Sequence, residues 1–157
     1  RRQRARVGFQ PFFYPLDGVL HWNRIYGRQG FQQYQCVIPW AAADTALPEL
    51  LAVIAASGQG SFLAVLKRFG DRPSPGWLSF PCPGVTLALD FPNHRDRNAG
   101  LFGRLDAVVR AAGGRLYPAK DAHMTPDDFR RSYPRWEDLE RLRDPLLLSR
   151  FWQRVTA

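Results

Sequence analysis

The sequence has few of the residues that build disulfide frameworks and metal sites. Its two cysteines, Cys36 and Cys82, form no CxxC pair, and its three histidines lack a metal-ligand spacing. A disulfide scaffold and a metal site are therefore not expected. No apolar run reaches the ~20 residues that a membrane-spanning helix needs, and the longest candidate, residues 47–56, is short and amphipathic. We therefore predict no transmembrane segment.

Lysine is also scarce, because Lys67 and Lys120 are the only lysines among 22 basic residues. With 14 acidic residues the formal net charge is +8, and half of it comes from Arg1, Arg2, Arg4 and Arg6. Residues 7–157 hold 18 basic and 14 acidic side chains, a net charge of +4. We interpret residues 1–11 as a solvated basic lead-in and residues 12–157 as one domain.

The composition and the first residue also suggest the setting of this domain. The hydrophobic share of 45% and the charged share of 23% are ordinary for a globular protein and argue against disorder. The chain begins at Arg1 without Met or a signal-peptide pattern, which predicts the interior of a longer polypeptide. A cytoplasmic and a peripherally membrane-associated location both stay open.

Apolar periodicity and turn residues predict alternating strands and helices in the centre of the chain. The predicted strands are residues 30–40, 61–70, 85–92 and 115–118, and the predicted helices are residues 46–58 and 99–114. The proline-rich residues 77–84 are expected to form an edge strand at most. Short helices are expected from Thr125 to Pro134, over 136–143 and after Pro145. This order predicts an α+β fold, an antiparallel sheet with both helices on one face (a ferredoxin-like split βαβ core), followed by short C-terminal helices.

Alternation along the strands separates a face that packs on the helices from an open face. Tyr34, Cys36, Ile38 and the odd-numbered residues of 85–91 are expected to face the helices. The open face then holds Gln33, Gln35, Val37, Leu63, Val65, Lys67, Phe69, Thr86, Ala88 and Asp90. Polar groups among apolar residues are typical of ligand sites and domain interfaces, so we predict one of these here. The alternative is a solvated sheet face.

Six segments in order resemble one group of flavoproteins: FYPLDGVLHWNRIYG, GFQQYQCVIP, SFLAVLKRFG, LSFPCPG, LDFP and GGRLYPAKD. They resemble the C-terminal part of FAD-linked oxidases of the vanillyl-alcohol-oxidase type, within them the group that oxidises polyprenyl-phosphoryl ribose. In that family an N-terminal FAD-binding domain precedes a cap domain, whose sheet covers the isoalloxazine ring and forms the substrate pocket. The resemblance, which runs from about Phe12 to the last helix, implies that this chain is the cap and that an FAD-binding domain is its partner.

The resemblance also implies roles for individual residues. Lys120 matches a lysine near the pyrimidine edge of the flavin, which implies a catalytic and cofactor-binding cation. Pocket positions of the family match Gln33, Gln35, Lys67 and Phe69. The implied reaction is oxidation of a carbinol by hydride transfer to flavin N5. Because FAD would be bound mainly by the other domain, the chain by itself is expected to be inactive.

Three pocket positions depart from the family pattern. A cysteine, an asparagine and a tyrosine of the polyprenyl-phosphoryl ribose group fall on Ala88, Thr86 and Phe13, so its substrate is not carried over. We expect a small hydroxylated substrate, possibly phosphorylated, bound partly by these three residues. Two alternatives stay open. One is the cap of an alditol or aldonolactone oxidase, although those relatives carry an HWGK-like segment in place of YPAKD. The other is a basic RRM-like nucleic-acid-binding module, although the RNP1-like string is absent and no nucleic-acid partner is expected.

Some side chains have a structural explanation beside the functional one. Gln33 and Gln35 either bind substrate hydroxyls or pair across strands. Lys67 either meets an anionic substrate group or pairs with Asp90. His123 is expected to be a solvated loop residue, and the motif residues Tyr117 and Arg24 are expected to be structural.

Overall fold

The computed structural model describes residues 5–120 and 123–157, without the side chains of Trp22 and Asn23. Three lead-in arginines (Arg1, Arg2 and Arg4) and Asp121 of the YPAKD segment lie outside the described residues. The strands are β1 (Phe31–Pro39), β2 (Ala64–Phe69), β3 (Gly84–Pro92) and β4 (Arg115–Leu116). The α-helices are α1 (Phe9–Phe13), α2 (Trp40–Ser57), α3 (Arg95–Ala111), α4 (Pro126–Ser132), α5 (Trp136–Glu140) and α6 (Arg150–Thr156).

The four strands form one antiparallel sheet in the order β2-β3-β1-β4. Because α2 connects β1 to β2 and α3 connects β3 to β4, each pair of strands is separated by another strand, as in a split βαβ unit. The predicted α+β fold with a ferredoxin-like core is confirmed. β4 pairs with β1 only at Cys36 and Val37, so the first part of β1 is left without a β4 partner.

The hydrophobic core lies between the sheet and the two long helices. The sheet contributes Tyr34, Cys36, Ile38, Val85, Leu87, Leu89 and Phe91, as the alternation predicted. Facing them, α3 contributes Leu101, Phe102, Leu105, Val108 and Val109. Because these side chains leave the other sheet face to different partners, the core fixes which residues reach the open face.

Helix α2 is longer than the sequence predicted, since it begins at Trp40 and not at residue 46. Pro48 is typical of a first helical turn, but here it lies inside the helix. The full helix has 18 residues and a mean hydropathy of 1.2, so among the described residues it is the one long and apolar enough to cross a membrane. In the fold it packs against α3, β1 and β3 as the crossover of a βαβ unit. Leu51, predicted on its apolar stripe, is exposed.

The chain outside the split βαβ core is made of short elements. Before β1, α1 is followed by 3₁₀ turns at Pro15–Gly18 and Trp22–Tyr26, in agreement with the absence of a long predicted element. Residues 77–84 form no strand before β3 begins at Gly84. Thr125 caps α4 as predicted, because its side chain accepts a hydrogen bond from the backbone N–H of Asp128. The last helix begins at Arg150, later than the predicted start after Pro145.

Candidate functional site on the open sheet face

The register of the sheet brings most of the predicted site residues onto one surface. Gln33 lies opposite Asp90 and Gln35 opposite Ala88 on the β1–β3 pair. On the β2–β3 pair, Lys67 lies opposite Thr86 and Val65 opposite Ala88. Because residues directly opposite each other in an antiparallel pair point to the same side, these side chains share the face away from the core. The predicted composition of the open face is confirmed.

A chain of hydrogen bonds runs across this face from Lys120 to Tyr26. Lys120 Nζ donates to Gln33 Oε1 over 2.8 Å, and Gln33 Nε2 donates to Asp90 Oδ1 over 2.7 Å. The other carboxylate oxygen, Asp90 Oδ2, accepts from the Tyr26 hydroxyl over 2.8 Å. A cation and a carboxylate therefore hold the two ends of the Gln33 amide, which fixes its orientation.

Tyr26 serves as a hydrogen-bond donor in this chain. Its side chain is buried, and its ring stacks on Phe31 with centroids 4.1 Å apart. Burial, followed by the hydrogen bond and the charge of Asp90, raises the pKa of Tyr26 to about 12. The hydroxyl therefore keeps its proton at neutral pH and donates it toward Asp90.

The second glutamine and the second lysine make different contacts. Gln35 Nε2 donates to Thr86 Oγ1 over 3.2 Å, so both glutamines pair across strands. Each amide retains a further N–H that is not used in these bonds. Lys67 is exposed opposite Thr86, and no described carboxylate forms a salt bridge with it. The suggested pairing of Lys67 with Asp90 is wrong, because Gln33 and Tyr26 occupy that carboxylate.

Aromatic rings cover one end of the open face. The ring of Phe69 lies 6.0 Å from that of Phe80, which in turn lies 4.6 Å from the ring of Tyr117. Phe80 thereby connects the two edges of the sheet over Val37 and Thr86, which are 0% and 1% exposed although the helices pack on the opposite face. This contact supports the structural role expected for Tyr117.

Phe13 lies apart from the other predicted site residues. It ends α1, its side chain is exposed, and its ring contacts those of Phe9 and Phe12. The segment that follows α1 does approach the open face. An apolar cavity of about 580 Å³ at the Tyr26 end is lined by Leu16, Asp17, Val19, Leu20, His21, Ile25, Tyr26, Phe62 and Leu63.

His123 is packed into the protein, so the expectation of a solvated loop residue was wrong. Its Nε2 lies 2.9 Å from Asp106 Oδ2, and its ring stacks near Tyr34 at a centroid distance of 6.1 Å. Asp106 also accepts from the Tyr34 hydroxyl over 2.9 Å. Burial, with smaller effects of Cys36 and Asp106, holds the pKa of Tyr34 well above its usual value. This cluster lies on the helix side of the sheet, behind the open face.

The open face is suited to a small ligand that carries hydroxyl groups. It offers amide N–H donors from Gln33 and Gln35 beside apolar Ala88 and Val65. Lys120 has three N–H donors, of which one is directed at Gln33. RRM modules stack bases on aromatic residues of the sheet. Here the central strands present amides, Thr86, Ala88 and the carboxylate of Asp90 instead, and that carboxylate would repel a phosphate backbone.

The sequence interpretation missed the importance of Asp90 and Tyr26. Asp90 was placed on the open face, yet it was considered only as a partner of Lys67. Its position as the one acid within the apolar strand LALDF was the available signal. Tyr26 comes from a loop-rich segment in which no periodicity indicates what its side chain contacts.

Comparison with known proteins gives the class first. No protein-family model matches the chain. The chain is homologous to one portion of an oxidase, in agreement with the predicted C-terminal domain of an FAD-linked oxidase. It is 43% identical over 136 residues to decaprenylphosphoryl-beta-D-ribose oxidase from Mycolicibacterium smegmatis, covering 84% of this chain and 28% of that oxidase. The resemblance predicted from the motifs is thereby confirmed.

A second relative comes from Streptomyces coelicolor. It is described as an uncharacterized protein in the mprA 5' region and is 36% identical over 126 residues. The match covers 80% of this chain and 34% of that protein. The chain thus spans about a third or less of the length of the curated relatives that it matches.

Proposed function

We propose that this chain is the substrate-binding cap domain of an FAD-dependent oxidoreductase that oxidises a carbinol of a sugar-like or polyol-like substrate. The observation that carries the proposal is the bond between Lys120 and Gln33 at the rim of the open face. It occurs in a chain that is 43% identical to part of an oxidase. An N-terminal FAD-binding domain would complete the enzyme.

The residues at the rim fit the edge of a bound flavin. Lys120 is exposed, and the amide oxygen of Gln33 holds its ammonium group at 2.8 Å. Two N–H donors therefore remain for an anionic acceptor. When bound, FAD would supply the acceptor for the hydride. A cation held in place beforehand stabilises developing negative charge without reorganising during the reaction.

The floor of the open face would orient the substrate. Gln33 and Gln35 are held by Asp90 and Thr86, so their remaining amide N–H groups have fixed directions toward a substrate hydroxyl. Ala88 and Val65 provide apolar contact with the carbon skeleton. The aromatic end formed by Phe69, Phe80 and Tyr117 would limit access of water to the bound substrate.

Lys67 would bind the anionic group of a phosphorylated substrate. It lies on β2, whereas Lys120 reaches the face from beyond β1, so the two lysines flank the glutamines from opposite sides. An exposed ammonium without a described carboxylate partner is available for a phosphate. Phe69, two residues further along β2, marks the closed end of the same site.

The test is removal of the rim cation in the full-length oxidoreductase that contains this chain. Flavin reduction would be followed anaerobically with a panel of alditols, aldoses and polyprenyl-phosphoryl sugars. We expect Lys120→Ala to slow flavin reduction by about 10²–10³-fold, the usual cost of losing one preorganised electrostatic contact. Arg104→Ala, which removes an exposed cation of α3, is the matched control and should keep the parental rate. A parental rate in Lys120→Ala would refute the proposed role.

A further inference from the structure

The loop that carries Lys120 crosses the edge of the sheet. Lys120 reaches Gln33 on the open face, whereas His123, three positions later, reaches Asp106 behind the sheet. The crossing occurs beside the part of β1 that β4 leaves unpaired. The loop is thus attached to the molecule on both sides of one strand.

Backbone hydrogen bonds attach the first end of this loop to β1. The N–H of Tyr117 donates to the carbonyl of Gln35 over 2.9 Å, and the N–H of Lys120 donates to the carbonyl of Tyr117 over 3.1 Å. The turn Pro118–Lys120 therefore starts from a fixed point on the strand that also carries Gln33. These bonds do not fix the direction in which the chain leaves Lys120.

The second end of the loop is attached through His123. Its Nε2 lies 2.9 Å from Asp106 Oδ2, and its ring lies 5.1 Å from the Phe102 ring. Asp106 is 7% exposed and is itself held by the Tyr34 hydroxyl. A hydrogen bond to a buried carboxylate is strong and directional, so it sets where residue 123 lies.

The two attachments meet in β1, where Tyr34 stands between Gln33 and Gln35 in the sequence. One strand therefore fixes the ammonium of Lys120 from the front and the imidazole of His123 from behind. We propose that His123 is a positioning residue for Lys120, acting through its contact with Asp106. Its catalytic importance rests on the function proposed for Lys120, whereas the positioning itself can be tested separately.

The first test uses the two-lysine composition of the chain. In the 157-residue chain, whose core lies within its own residues, isotopically labelled lysine side chains give NMR signals for Lys67 and Lys120 alone. A Gln33→Ala variant defines the signal of an ammonium that has lost its acceptor. We expect His123→Phe, which keeps an aromatic ring beside Phe102, to shift the Lys120 signal toward that position. The Lys67 signal should not move.

Two further variants separate positioning from general damage to the fold. His123→Gln retains an N–H donor for Asp106 and should return the Lys120 signal to its original position. His94→Ala removes an exposed histidine before α3 and should leave both lysine signals unchanged. An unshifted Lys120 signal in folded His123→Phe would overturn the proposal.

The second test measures flavin reduction in the full-length oxidoreductase with the substrate panel described above. We expect His123→Phe to slow the reaction by about 10- to 100-fold, because a small misplacement of a catalytic group is costly. Since His123 acts through Lys120, the double variant with Lys120→Ala should be no slower than Lys120→Ala alone. Fully additive losses would overturn the inference. A parental rate in Lys120→Ala would instead refute the proposed function, leaving the NMR result to decide the positioning.

Discussion

Gln33 and Asp90 face each other directly across the central strand pair, and the amide of Gln33 donates to the carboxylate over 2.7 Å. Asp90 is only 3% exposed, and it also accepts from Tyr26. The two donors compensate the burial of a negative charge, which would otherwise be costly. This pair therefore links the stability of the sheet to the arrangement of the candidate site.

We expect Asp90→Ala to lower the free energy of unfolding by about 3 kcal/mol. The substitution leaves the buried hydroxyl of Tyr26 and the amide of Gln33 without their acceptor. Urea denaturation of the chain measures the change. Asp71→Ala, which removes an exposed loop carboxylate, is the control and should stay within about 0.5 kcal/mol of the parent. An equal effect of the two substitutions would contradict this assignment.

Stability should fall at alkaline pH as the buried tyrosines ionise. The pKa of Tyr26 is raised from 10.0 to about 12, and those of Tyr34 and Tyr133 are raised as well, chiefly by burial. A pKa raised in the folded state gives stability that is complete below the unfolded value and is lost as pH rises through the folded value. For Tyr26 the window is therefore pH 10 to 12.

A comparison of Tyr26→Phe with the parent isolates this contribution. The variant should be less stable at neutral pH, since Asp90 loses a donor, but its stability should depend less on pH between 10 and 12. Urea midpoints across that range give the two slopes. Identical slopes would show that Tyr26 is not the group responsible.

The start of β3 should tolerate no side chain at Gly84. A Cβ atom built there would lie 2.1 Å from the carbonyl oxygen of Ile38, because β1 and β3 approach closely at this point. We expect Gly84→Ala to destabilise the chain by about 2 kcal/mol. Gly103→Ala is the matched change in open space within α3, and it should stabilise by about 0.5–1 kcal/mol. Thermal unfolding of both variants checks the opposite signs.

Lys67 should distinguish charged from neutral substrates. If it binds a phosphate, Lys67→Ala raises KM for a phosphorylated sugar by about 10-fold, the effect of losing one charge-assisted hydrogen bond. KM for the corresponding neutral sugar should remain as in the parent. The comparison requires the full-length oxidoreductase, with Arg68→Ala on the same strand as a control for charge alone. A similar rise for both sugars would argue against phosphate binding.

The fold was predictable because periodic patterns carry it. Alternation in β1 and β3 separated Tyr34 from Gln33 and Gln35 correctly, since one face of the sheet must be buried. The start of α2 was not predictable, because no side chain caps it and Pro48 suggested a later beginning.

The site was predictable only in part, for a related reason. The strands supplied its floor, but the contacts of Tyr26, Phe80 and His123 come from loops, where no period links a residue to its partner. The contact between His123 and Asp106 joins residues 17 positions apart, and neither has a local signal for it. The roles of Lys120, Gln33, Gln35, Lys67, Thr86, Ala88 and Phe13 in substrate or cofactor binding stay predictions.

Phe80 and Tyr26 stand at opposite ends of the open face, and the floor between them is the stretch of β3 from Thr86 to Asp90. At about 3.3 Å per strand residue, this floor is about 13 Å long. A compact sugar fits within that length, whereas a longer molecule has to project beyond the sheet. The sheet would therefore select a ligand by size as well as by its hydroxyl groups.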